Sequence, residues 1–102
     1  MHWFEYVAAF VAGAAFANFI PHFVHGVSGD PFPTPFARPP GRGLSSPTVN
    51  VLWGLFNLVL GYLLFLRSGI SLRPSLSLLI FLAGAAFLSI QLSLAFRKKH
   101  TQ

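Results

Sequence analysis

Histidine and amide side chains set into apolar sequence are the groups in this chain that could do chemistry. Asn18, His22 and His25 stand at i, i+4 and i+7 and share one face if that segment is helical. Asn50, Asn57 and Gln91 follow in later apolar runs. Two imidazoles could relay protons, because histidine titrates near neutral pH. They could also ligate a metal, but only Asp30 lies near them, and the chain has no second carboxylate nearby and no cysteine to complete a site. No metal is expected. Asn18, Asn57 and Gln91 also have a plainer role as interhelical glue, at about 0.6 kcal/mol per contact. His22 and His25 have one as capping groups at a helix end.

A second candidate lies in Gly41-Arg42-Gly43, followed by Ser46. Flexible amides, the Arg42 guanidinium and a helix start at Ser46 could hold a phosphate, with a lipid headgroup as the expected source. An ordinary loop turn accounts for the same residues. Catalytic sets are not evident. Ser45 and Ser46 have no acid–base partner placed by sequence. Glu5 and Asp30, the only carboxylates, are expected on opposite sides, so paired-carboxylate chemistry is excluded. There is no Walker loop and no GxGxxG. The chain is read as a non-enzyme without cofactors.

The elements that position these residues follow from composition. Of 102 residues, 54% are hydrophobic and only 9% charged, where a soluble domain carries about 25% charge. A chain this short cannot bury so much apolar side chain away from water. The bilayer is its solvent. The net charge of +5 then reports membrane topology rather than nucleic-acid binding, because the basic residues flank apolar runs. The expected fold is an all-α membrane protein, one polytopic domain with transmembrane helices at about 3–25, 47–66 and 74–96. A Pro/Gly-rich loop over 26–47 and a basic tail over 97–102 complete it.

Trp3 and Tyr6 suit an interfacial belt at the start of the first helix. Ala9, Gly13 and Ala17 have the small-xxx-small spacing that brings helices close. Ala15-Phe16-Ala17 resembles a signal-peptidase site, but the preceding segment has Glu5 and no Lys or Arg, so a retained helix is the reading adopted. Pro21 is expected to kink or end this helix, and Gly26 to cap it.

The 26–47 loop holds six prolines and four glycines, with Phe32, Phe36 and Leu44 as apolar anchors. An ordered cap on the membrane surface is favoured over disorder. Ser46-Pro47 is a helix start, with Ser46 as N-cap. Asn50, Gly54, Asn57 and Gly61 form one narrow stripe on the second helix that should face protein rather than lipid. Pro74 opens the third helix, on which Ser77, Gly84 and Gln91 recur every seven residues.

Arg38, Arg42, Arg97, Lys98 and Lys99 lie on one side of the bundle, against Arg67 and Arg73 on the other. Five against two places the loop and C-terminus in the cytoplasm and the N-terminus outside. The expected location is the inner membrane of a bacterium. Asn18, His22, His25, Asn50, Asn57 and Gln91 then gather in the cytoplasmic half, under the loop.

Three helices in a chain of this size resemble the SemiSWEET half-transporters in length and helix count, but the Pro-Gln pair of that family is absent and Pro21-His22 does not replace it. Glu5 lies too near the end to match the intramembrane Glu of the small multidrug-resistance family. Neither family is assigned. The expected function is a structural, accessory or interaction module. Its partners would be the bilayer, another copy or a larger membrane protein through the small-residue faces, and anionic lipid at the tail. The alternative is a homo-oligomeric transporter or channel, with Asn18, His22, Asn50, Asn57 and Gln91 along the path.

Overall fold

The structure, a computed structural model, describes residues 2–70 and 76–97. Its element order is α1 (Trp3–Val27), β1 (Phe32–Pro33), β2 (Leu44–Ser45), α2 (Pro47–Ser68) and α3 (Leu76–Arg97). All three helices are long and apolar enough to cross a membrane. At about 1.5 Å per residue, 22 to 25 residues reach across a hydrocarbon core of roughly 30 Å. The expected start of α3 at Pro74 lies outside the described residues.

Helix α1 is the central element and packs against both α2 and α3. Small residues make this possible. Ala9, Ala12, Gly13, Ala15 and Ala17 are buried, while Val7, Val11, Ile20 and Val24 face outward. The α1–α3 crossing is reciprocal. A Cβ on Gly13 would strike the Phe81 carbonyl, and one on Gly84 would strike the Phe10 carbonyl. Backbone meets backbone here, so glycine is required on both sides.

Helix α2 turns one stripe toward α1. Asn50, Gly54, Asn57 and Gly61 are buried, and Ser68 extends the stripe by two further turns. Leu52, Phe56, Val59 and Leu63 lie on the outer faces. The rings of Phe16, Phe65 and Phe81 meet where the three helices come together.

Two local expectations for α1 are corrected. Pro21 does not end the helix, which continues six residues further to Val27. A membrane helix tolerates the loss of the bond that its missing N–H would make where neighbouring elements cover the backbone. Gly26 is not the cap. It is buried where α1 meets the start of α2, and a Cβ there would press on the Pro47 carbonyl and the Val51 amide. Ser28 closes the helix, and Gly29 takes the left-handed turn at φ 78°.

The connecting segment carries a minimal antiparallel ladder, Phe32 opposite Ser45 and Pro33 opposite Leu44. Two-residue strands are too short to leave an alternating pattern in the sequence. Thr34 organises the turn between them. Its carbonyl accepts from the Ala37 amide at 3.2 Å and the Gly41 amide at 2.9 Å, and its hydroxyl accepts from the Phe36 amide at 3.1 Å and pairs with the Ser45 hydroxyl. The Arg38–Pro39 peptide is cis. Helix α2 starts as its sequence requires, with Pro47 in the first turn and the Ser46 hydroxyl accepting from the Val49 amide at 3.2 Å.

Candidate functional site

Asn50 is the fixed point of the polar end. It sits one turn into α2, on the stripe that faces α1, and is fully buried. Its Nδ2 group faces three carbonyl oxygens, those of Phe32 at 3.0 Å, Ser46 at 3.1 Å and Ser45 at 3.2 Å. A carbonyl cannot donate, so the NH₂ must point that way and Oδ1 must point the other. Oδ1 lies 2.8 Å from His22 Nδ1. His22 therefore donates from Nδ1, and in its neutral form keeps a lone pair on Nε2. One amide thus joins α1, the start of α2 and both strands of the loop ladder.

Aromatic rings wall off that hydrogen bond. His22 is 2% exposed, with Phe32, Trp53 and Phe96 around its ring at centroid distances of 5.4, 6.4 and 6.4 Å. Phe32 is the loop's plug: it stacks on His25 at 4.1 Å and meets Phe96 of α3 at 4.6 Å. Both histidines expected at this end therefore pack on one ring from the loop. Phe36 and Leu44, expected as further anchors, are exposed, although Phe36 still meets Trp53 edge-on at 5.1 Å.

One to two turns deeper, Asn18 Nδ2 donates to Asn57 Oδ1 at 3.1 Å, and Asn57 Nδ2 donates to the Trp53 carbonyl at 2.8 Å. The site thus has two storeys. His22–Asn50 binds the loop to the helices, and Asn18–Asn57 binds α1 to α2.

Gln91 departs from expectation. Its side chain is exposed on α3 and takes no part in either storey. Gly84, two turns earlier on the same face, is buried against Phe10. Heptad spacing aligned the two on the helix surface, but it could not show that α1 covers only one of them.

The anion cradle over Gly41-Arg42-Gly43 is also corrected. The Gly41 amide is given to the Thr34 carbonyl, and those of Arg42 and Gly43 to the Pro39 carbonyl at 3.1 and 2.8 Å. The Ser46 hydroxyl is spent on the Val49 amide. What remains is an exposed Arg42 without the ring of free amides that a phosphate needs.

Three residues of the site escaped the sequence reading. The role of Trp53 and Phe96 depends on where the loop lands. Thr34 left a readable signal: a threonine two residues before Phe36 and flanked by prolines is placed to bond its own backbone.

Comparison with protein-family models, with curated proteins and with solved structures finds no match for this chain.

Proposed function

We propose that this protein is a small membrane interaction module, whose stapled 28–46 loop is the surface it presents to a membrane partner. The observation that carries this is the Asn50 clasp. An amide whose two N–H groups face three carbonyls and whose oxygen accepts from one imidazole is built to hold a shape. The shape it holds leaves Phe36 65% exposed beside Trp53 of α2. The charge count supports a cytoplasmic position for that surface. The paired amides of Asn18 and Asn57 support cohesion between helices over a water-filled path. Translocation through an oligomer is the second reading, favoured by the cavity between the helices that Asn18 and His22 line; a measured flux unchanged by Asn57→Leu would remove it.

The test is site-specific photo-crosslinking from position 36 in native membranes. A discrete protein adduct is expected with the clasp intact, and its loss is expected in Asn50→Asp, which replaces the donor facing three carbonyls with an acceptor. Crosslinks to lipid alone, or an adduct indifferent to Asn50→Asp, would overturn the proposal.

A further inference from the structure

Gln91 is the one amide of the candidate cluster that the bundle leaves unused. Its side chain is exposed on α3 and has no hydrogen-bond partner among the described residues. It lies six residues before Arg97, about 9 Å inside the end of the helix. Glutamine is shorter than the lysine and arginine side chains that reach the membrane surface from such a depth. Acyl chains offer it neither donor nor acceptor, so an amide left there alone is unfavourable. Ser93, also exposed on α3, has no such need, because its hydroxyl donates to the Ile90 carbonyl of its own helix at 2.8 Å.

Ala83, Phe87 and Leu94, at i−8, i−4 and i+3, share the face of Gln91, and all four are exposed. Within the bundle, α3 packs mainly against α1, through Gly84 and with the Phe10 ring 5.9 Å from that of Phe87. The face around Gln91 is left open.

The amide defines what fits there. Its N–H groups and its oxygen carry opposite partial charges, and the same amide on a second copy presents them in the complementary order. Copies inserted under one charge rule share one orientation. A two-fold axis along the membrane normal then brings each residue of this face opposite itself. Phe87 and Leu94 supply apolar contact around the amides, and Ala83 lets the backbones approach.

We propose that α3 pairs with α3 of a second copy across the face of Ala83, Phe87, Gln91 and Leu94. At its centre each Gln91 Nε2 donates to Oε1 of the other Gln91. The inference does not depend on what the loop binds.

The chain contains no cysteine, so single replacements report which positions meet their own copy. On mild oxidation in native membranes, Phe87→Cys and Leu94→Cys should each give a disulfide-linked dimer of the chain. Ala86→Cys, about 140° round the helix from Gln91, should not. Energy transfer between copies carrying a donor or an acceptor dye at the C-terminus, followed on dilution with lipid in vesicles, measures the association. Gln91→Leu should weaken it about three- to tenfold, and Ser93→Leu should leave it unchanged. Amide exchange over 31–45 should be the same in Gln91→Leu as in the parent; a rise would place Gln91 among the groups that hold the bundle and overturn the proposal. Equal dimer yield at positions 86 and 87, adducts from position 87 to a different protein only, or association indifferent to Gln91→Leu would overturn it as well.

Discussion

Asn50 carries more of this molecule than any other side chain described. Replacing it with Ala leaves the His22 Nδ1–H without its acceptor and takes the side-chain bond from the carbonyls of Phe32 and Ser45, in a region closed to water. Orphaned buried groups cost about 1–3 kcal/mol, so Asn50→Ala should lower stability by about 2–4 kcal/mol, read by thermal unfolding in detergent. Asn50→Asp keeps the volume but turns a donor into an acceptor against three carbonyls, and should be at least as damaging. Amide exchange over 31–45 should rise in both variants; unchanged exchange would show that the loop is held by something else. The Asn18–Asn57 pair is a lighter matter. A double-mutant cycle with Asn18→Leu and Asn57→Leu should return a coupling of about 0.6 kcal/mol, typical of amide contacts between membrane helices. A coupling near zero would mean that the pair is incidental.

Among the elements, the α1–α3 crossing has the least room to adapt. Gly13 and Gly84 each face a carbonyl of the opposite backbone, and a backbone cannot rotate away as a side chain can. Gly84→Ala should cost about 1–3 kcal/mol as an overpacking change, measured as lost resistance to unfolding in mixed micelles. Ala86→Val, on the exposed side of the same helix, should be close to neutral. Equal sensitivity at both positions would mean that α3 does not pack through Gly84. The periodicity of α2 was legible: Asn50, Gly54, Asn57 and Gly61 read as one protein-facing stripe, and all four are buried. The periodicity of α3 misled at Gln91. A stripe reports which residues share a face, whereas how far a neighbouring helix covers that face depends on the crossing, and the Gly13–Gly84 contact sets it.

For the whole molecule the question is orientation. The longest dimension is 44 Å, close to the ~40–45 Å of a bilayer with its headgroups. The loop and the end of α3 lie at one end, as the Phe32–Phe96 contact requires. The chain contains no cysteine, so single replacements report sidedness directly. With the loop cytoplasmic, Arg42→Cys should react with an impermeant maleimide only from the cytoplasmic face, and His2→Cys only from the other. Inverted labelling would reverse the assignment and move the proposed partner surface with it.

Composition and periodicity were enough to identify three helices able to span a bilayer, the protein-facing stripe of α2 and the Ser46-Pro47 helix start. Apolar length, small-residue spacing and capping are local properties, and local sequence encodes them. The loop's path was not legible, and the site depends on it. Trp53 and Phe96 become the walls of a cavity, and Gly41, Arg42 and Gly43 lose their free amides, only because Phe32 lands between His25 and Phe96 while Asn50 reaches both strands. Those contacts join residues from all three helices and the loop, some of them more than sixty positions apart. No local pattern encodes them; they form when the packed helices leave one place where the ring and the amide both fit.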